Sequence, residues 1–271
     1  MTSESTYFME NPQEAVRLDR KTDPEAVRKQ ATWCGVRAGL RVLDAGCGPG
    51  KVTSILHEMV QPGGTVVGVD YSPERIQYAR DHYGKMRGID FQVHDLRQSP
   101  GGLDRFDLVW ARFMLEYNCS EAFDIVRNLT ACLRPGGILC LLDLDHNCLS
   151  HYELPPGMQE ILQELAARVQ ATHNFDPYAG RKLYRHLYDS GYQDIRVDLV
   201  PHHLIYGEVK DLEVFNWVKK SEIVSLKARG MFEKYPGGHD AFFQDFSNFF
   251  LSPRRFTYTP LILCKGTKPS S

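Results

Sequence analysis

The 271-residue chain has no run of about 18 apolar residues, the length a helix needs to cross a bilayer, so it encodes no membrane span. Its opening Met1-Thr2-Ser3-Glu4-Ser5 lacks the basic and apolar segments of a secretion signal, and a cytoplasmic location is expected. Positive charge is not in excess either. Lys and Arg number 32 against 34 Asp and Glu, a formal net charge of −2, and without a basic field nucleic acid is not an expected partner. The seven cysteines are odd in number and form no Cys-x-x-Cys pair, so they read as reduced thiols rather than a disulfide framework. Internal repeats and low-complexity tracts are also missing. What remains is an ordinary globular composition, 42% hydrophobic, in a chain long enough for one α/β domain with an added cap.

The most informative segment is Val42-Leu43-Asp44-Ala45-Gly46-Cys47-Gly48-Pro49-Gly50. It reads as a short buried strand entering a glycine turn, followed by an amphipathic helix with Val52, Ile55, Leu56 and Met59 on one face. Alternating glycines allow a sharp bend with positive φ and leave no Cβ between the main chain and a ligand. Spacing narrows the choice of ligand. In a Gly-x-Gly-x-x-Gly dinucleotide fingerprint counted from Gly46, the third glycine falls on Lys51, so the strict template fails. Asp44 ends the strand two residues before Gly46, where a carboxylate can meet a cationic amine. The next strand, Thr65 to Asp70, ends in a second acid 22 residues beyond Gly48, about the interval at which an acid takes up a ribose diol.

Three further segments follow in order: Phe91-Gln92-Val93-His94-Asp95-Leu96, Phe106 to Arg112, and Leu133-Arg134-Pro135-Gly136-Gly137. With the glycine loop and Val66-Val67-Gly68-Val69-Asp70-Tyr71-Ser72, these five motifs in register make Arg41 to Gly137 resemble a class I S-adenosylmethionine-dependent methyltransferase, of the group that includes the ubiquinone and menaquinone C-methyltransferases. The resemblance implies S-adenosyl-L-methionine as cofactor and a Rossmann-like, doubly wound, mostly parallel seven-stranded sheet with helices on both faces and a helical cap. It further implies that Asp44 binds the methionine amine, with backbone contacts from Gly46, Cys47 and Gly48. Asp70 would chelate the ribose hydroxyls, Tyr71 border the adenine, and Asp95 with the Leu96 amide read its amino edge. Arg112 would reach the methionine carboxylate or else pair with Glu116, one helical turn on. For Asp95 an Asx-turn is the plain alternative, and for Cys47 a small packing residue or a reactive thiol.

The expected division is a helical lid at 1–40, a cofactor-binding core at 41–207, a helical cap at 208–252, and the last strand with a tail at 253–271. In the lid, two helical pieces flank Asp23-Pro24, and the family's habit would bring Tyr7, Phe8 or Arg17 near the cofactor. Ser72 and Pro73 start the second core helix, Ala122 to Cys132 the fourth, and Ile138 to Leu144 is strand five. Pro155-Pro156 opens a helix through Val169, and Arg181 to Ser190 is the fifth core helix. Ile195 to Ile205 and Phe256 to Lys265 are the last strands. The cap's Leu212, Phe215 and Val218 suggest one helix, and Phe242, Phe246, Phe249 and Phe250 another, packed as a core stripe rather than lining a pocket.

Asp145 and His146, just beyond strand five, are the candidate catalytic residues, since an open α/β sheet exposes its ligand crevice there. Asp143, His151 and Tyr152 lie nearby, and at most one of His202 and His203 faces a pocket. No metal is expected, because the second ligand region after strand four holds no acid. The expected activity is in-line methyl transfer to a small, partly apolar organic acceptor, with a homodimer as the oligomer considered. The alternatives are an S-adenosylmethionine-binding sensor without turnover and a nucleotide-cofactor oxidoreductase, the latter disfavoured by Lys51.

Overall fold

The computed structural model describes residues 14–103, 105–147, 149–209 and 229–270. In chain order the elements begin α1 (Glu14–Lys21), α2 (Pro24–Cys34), β1 (Arg41–Ala45), α3 (Lys51–Val60), β2 (Thr65–Asp70), α4 (Pro73–Tyr83) and β3 (Ile89–Val93). They continue with β4 (Phe106–Arg112), α5 (Ala122–Cys132), β5 (Leu133–Leu144), β6 (His151–Tyr152) and α6 (Met158–His173). Last come α7 (Leu183–Asp189), β7 (Gln193–Tyr206), α8 (Gly238–Leu251) and β8 (Phe256–Thr267). Two compact units result: one takes the chain up to Asp143, Ala179–Asp198 and everything from Ile262, the other Leu144–Tyr178 and Leu199–Leu261.

In the first unit β3, β2, β1, β4 and β5 lie side by side in that order, all parallel, with Leu43 opposite both Val67 and Val109. β8 continues the sheet beyond β5, and β7 pairs with β8. Helices alternating with these strands make the sheet doubly wound, and the strand order reverses between β1 and β4. Such a switch point is where open α/β sheets hold their ligands, outside the strands' carboxyl ends. The sheet has eight strands rather than seven because β6 adds a two-residue antiparallel pairing onto β8, Tyr152 opposite Phe256.

Local chemistry sets the boundaries. α2 starts at Pro24 because the Asp23 carboxylate accepts from the amides of Glu25 and Ala26, and it stops at Gly35 with φ +98°. α4 likewise starts at Pro73 with Ser72 Oγ accepting from the Arg75 amide. Two expectations need correction. Strand five begins at Leu133, not Ile138, because the Leu-Arg-Pro-Gly-Gly segment is drawn into the ladder: Gly136 N donates to Lys268 O, and Lys268 N donates to Gly137 O. The irregularity is absorbed as a register shift against β4 between Phe106 and Leu108. The Arg181–Ser190 helix is a 3₁₀ turn over Gly180–Lys182 followed by α7.

In the second unit the α8 phenylalanines form a core of their own. Phe242, Phe246, Phe249 and Phe250 are buried, and Phe232 packs on Phe242 with ring centroids 4.8 Å apart. Phe242, Phe246 and Phe250 are therefore packing residues, while Phe249, also buried, forms part of the wall of a cavity of about 310 Å³. Tyr7 and Phe8, and the helix suggested by Leu212, Phe215 and Val218, lie outside the described residues.

Gly50 couples loop to packing: its φ is +88°, and a Cβ there would lie 2.8 Å from the Ala79 Cβ and 2.9 Å from the Phe91 ring. Gly50→Ala should therefore lower the unfolding free energy by about 2 kcal/mol or more, through both strain and overpacking. Urea denaturation of the two proteins checks this, and an unchanged midpoint would contradict it.

Candidate functional site

The turn after β1 is built to bring backbone close to something. Gly46, Gly48 and Gly50 all have positive φ, at +75°, +54° and +88°, and the amides of Gly46 and Cys47 both donate to Val69 O, pinning the loop to the end of β2. A Cβ on Gly46 would meet Met114 Cγ at 3.3 Å, and one on Gly48 would lie 3.8 Å from Leu18 Cδ1. Leu18 therefore brings α1 alongside the loop, while Arg17, one of the residues expected near the cofactor, donates through Nη2 and Nε to the Glu14 carboxylate at 2.6 and 2.8 Å.

Asp44 is buried behind this loop, and its carboxylate accepts from Thr53 Oγ1 at 2.7 Å. Room for that bond comes from Gly68, the residue paired with Asp44 across the sheet. A Cβ on Gly68 would stand 2.9 Å from both Thr53 Oγ1 and the Phe91 ring. Burial pushes the Asp44 carboxyl up to about 7, against the opposing pull of the Thr53 hydrogen bond and the Arg112 charge. Arg112 ends β4, and its Nε donates to Gln30 Oε1 of α2 at 3.0 Å. Burial lowers its guanidinium to about 10, with Asp44 and Asp143 opposing, so it stays charged at neutral pH. Asp143 itself accepts from the Leu115 and Glu116 amides at 2.8 and 3.1 Å, holding the turn that follows β4.

Asp70, at the end of β2, ties three pieces together. One oxygen accepts from the Gly48 amide at 3.0 Å, and the other from the Ser72 amide and the Arg75 guanidinium at 3.0 and 3.2 Å. Arg75 is buried with it, and its guanidinium stands 5.0 Å from the centre of the exposed Tyr71 ring. Of about four lone-pair sites on a carboxylate, the oxygen facing Gly48 keeps one for another donor. Cys47 is a packing residue: its side chain packs among Ile76, Ala79 and Phe91, and burial pushes its thiol well above the ordinary range, with Asp44 and Asp70 adding to it. That removes the reactive-thiol alternative, which needs a depressed pKa.

Asp95 adopts the Asx-turn alternative. It accepts from the Arg97 amide at 3.0 Å and from both ends of the Arg97 guanidinium at 2.8 and 2.9 Å, and these bonds hold its carboxyl below the usual range. Leu96 is buried, with its carbonyl held by Asn128 Nδ2 at 2.9 Å. Beside them, His94 Nε2 is buried and has no hydrogen-bond partner among the described residues. Thr53, Arg75, Gln30, Leu18 and His94 were not anticipated. Thr53 alone carried a signal, a hydroxyl interrupting the apolar stripe of α3.

Asp145 and His146 belong to the second unit. Asp145 is buried, and its amide donates to Pro260 O at 3.0 Å. His146 is half-buried, has φ +48°, and meets Tyr178 edge-on at 5.3 Å, on the wall of a cavity of about 370 Å³. Positive φ is uncommon outside glycine, and such positions concentrate at functional sites. His151 Nδ1 is 2.8 Å from Thr257 Oγ1 and its ring packs on Phe246 and Phe249, while His202 and His203 pack on each other with centroids 4.3 Å apart. Among the described residues no group of three or more His, Cys, Asp or Glu converges as a metal site.

The chain is similar to known proteins in sequence and fold. Residues 42–137 match the family model described as a methyltransferase domain. The malonyl-[acyl-carrier protein] O-methyltransferase of Enterobacter lignolyticus is 30% identical over 161 residues, 58% of this chain and 54% of that enzyme. The 2-phytyl-1,4-naphtoquinone methyltransferase of Synechococcus elongatus is 25% identical over 189 residues, 56% of this chain and 81% of the relative. The matched stretch thus spans about half of the first relative's length. A solved phosphoethanolamine N-methyltransferase 2 of Haemonchus contortus, in complex with S-adenosyl-L-methionine, superposes with a TM-score of 0.54 over 90% of this chain and 52% of that one, at 15% identity, a likeness of fold. Residues 42–137 therefore resemble a methyltransferase domain in sequence, and the chain shares the fold of that solved methyltransferase.

The raised Asp44 carboxyl gives stability a sign. Native Asp44 keeps its proton to about pH 7, whereas the unfolded carboxyl loses it near ~4, so the folded state loses stability as pH rises between those values. Asp44→Asn, which cannot ionise, should gain on the wild type across that window by at least about 1 kcal/mol and hold the gain above pH 7. Chemical denaturation from pH 4 to 8 measures it; a difference independent of pH would refute the buried-acid assignment.

Proposed function

We propose that the chain is an S-adenosylmethionine-dependent methyltransferase acting on a small organic molecule. The observation that carries this reading is the glycine loop with a buried acid on each side: Asp44 before it, and Asp70 bonded to the Gly48 amide within it. The residues suit that cofactor. The turn leaves backbone bare where a Cβ would intrude, Asp44 offers a desolvated counter-charge for an ammonium, and Asp70 retains acceptor capacity for a ribose hydroxyl. When bound, the cofactor supplies an electrophilic methyl on a sulfonium.

The chain's own residues then have the following roles. Asp44 holds the amine, and Arg112, fixed through Nε by Gln30, keeps its remaining N–H donors for the carboxylate. Gly46, Cys47 and Gly48 line the methionine portion through the main chain. Asp70 orients the ribose, and the Tyr71 ring borders the adenine. Asp95, committed to Arg97, shapes the turn that presents the Leu96 amide and His94 to the adenine edge. Holding two reactants in attack geometry can supply roughly 7–11 kcal/mol of a barrier, so side-chain chemistry at the acceptor is a secondary contribution. Of the two candidate proton acceptors, His146, on a cavity wall of the second unit, is better suited than buried Asp145 to take a proton from a hydroxyl or amine. The free thiols at Cys34, Cys47, Cys119, Cys132, Cys140 and Cys264 support a reducing, cytoplasmic setting.

Calorimetric titration with S-adenosylmethionine and S-adenosylhomocysteine should give micromolar affinities, weakened about tenfold to a hundredfold in Asp70→Asn, the worth of one charged hydrogen bond. NAD binding in their place would overturn the reading. Binding without any S-adenosylhomocysteine produced from a mixture of small-molecule acceptors would leave a sensor.

The same titration at pH 6 should also release up to about one proton, because a cation beside Asp44 lowers a carboxyl that is mostly protonated there. Two buffers of different ionisation heat make that release visible, and Asp44→Asn should abolish it.

A further inference from the structure

The cavity of about 370 Å³ lies wholly within the second unit and near the small end of the range for ligand sites. Its floor is aromatic. Tyr152 pairs directly with Phe256 across β6 and β8, and Tyr258, two residues further along β8, falls on the same face, its ring centroid 5.9 Å from that of Phe256. Their exposures of 66%, 42% and 44% leave three large rings facing solvent around one concavity, an arrangement soluble proteins keep for binding. Opposite in chemistry are the hydrogen-bonding groups: the His146 imidazole, fixed edge-on by Tyr178, and the amides of Gln159 and Gln163, one turn apart on α6.

Among the described residues, the lining contains no Lys, Arg, Asp or Glu. A ligand bearing a phosphate, carboxylate or ammonium would be desolvated there without a counter-charge, at a cost of several kcal/mol. Aromatic rings favour flat ligands through stacked and edge-on contacts, and the glutamines and histidine can hydrogen-bond a hydroxyl or carbonyl from either direction.

We infer that this cavity binds an uncharged, planar aromatic molecule carrying a hydroxyl or carbonyl group. That this molecule is the methyl acceptor rests on the function proposed above; that the cavity takes it does not.

1-Naphthol is the probe, titrated into the full chain and followed by saturation-transfer NMR, with 1-naphthyl phosphate and cyclohexanol as charged and non-planar comparators. For a ligand of this size the dissociation constant should be about millimolar or tighter. Phe256→Ala and Tyr258→Ala, both at exposed rings and so compatible with folding, should each weaken 1-naphthol at least fivefold. Tyr184→Ala, an exposed ring of the first unit on α7, should leave it unchanged. The comparators should bind at least tenfold more weakly than 1-naphthol. No 1-naphthol binding, equal binding to all variants, or equal binding of either comparator would each overturn the inference. S-adenosylmethionine affinity measured on the same samples keeps the two readings apart. Its loss in the wild type would sink the methyltransferase reading while 1-naphthol binding still decided the cavity.

Discussion

The constraint on which the first unit turns is a carboxyl group taken out of water. Asp44 ends a strand buried from its second residue onward, and its desolvation is tolerated because three elements converge on it. The first turn of α3 supplies a hydroxyl, the end of β4 supplies a guanidinium, and β2 supplies an absence: at Gly68 there is no side chain, so the Thr53 hydroxyl and the Phe91 ring can occupy the space. Filling that space would displace the hydroxyl, and losing the hydroxyl would leave the acid with less to offset its burial. The strand register that sets Asp44 opposite both Gly68 and Trp110 is thus also the condition for the site's electrostatics.

Asp70 solves a different problem with similar means. It too is buried, but it carries its counter-charge with it, since Arg75 comes from the helix that Asp70's own backbone leads into. Removing one partner of such a buried pair strands the other, which typically costs 3–5 kcal/mol. The pair therefore holds the β2–α4 corner, and through the Gly48 amide it holds the glycine loop as well. A loop with three positive-φ glycines has little stiffness of its own. Its shape is fixed from outside, by two bonds to Val69 O, one to Asp70, and the packing of Leu18 and Met114 where Cβ atoms would be.

These dependencies explain what could be read in the sequence. Strand runs such as Val42–Ala45 and Thr65–Asp70 and the caps at Asp23 and Ser72 declare themselves, because burial, periodicity and capping act over a few residues. The glycine loop was legible for the same reason. Gln30 was not, since a glutamine 82 residues from Arg112 is marked as its partner only by three-dimensional proximity. The helical spacing assumed for Arg112 and Glu116 failed in the opposite way, since β4 runs through Arg112 instead. The Pro-Gly-Gly segment shows the limit of turn chemistry, because Lys268 supplies hydrogen bonds that extend the strand through residues that would otherwise end it. Asp95 carried two readings, and of these the Asx-turn with Arg97, two positions away, is present in the fold.

On the function proposed above, the charges of the site suit a cationic ligand. Asp70 and Arg75 cancel as a pair, which leaves Asp44 with Arg112. Burial outweighs the pull of Arg112, whose Nε goes to Gln30, and raises the Asp44 carboxyl to about 7. A carboxyl raised to about 7 titrates close to neutral pH, so a nearby charge readily changes its state. A ligand with an ammonium and a carboxylate on one carbon complements both residues at once, and an added positive charge elsewhere on that ligand tips Asp44 further toward its anion. A neutral analogue gains no such ionisation and must bind against a partly protonated acid. On the function proposed above, desolvation of Asp44, unfavourable by itself, becomes discrimination in favour of a cationic amino acid derivative, since the less water shields the carboxylate, the more an arriving positive charge gains from it.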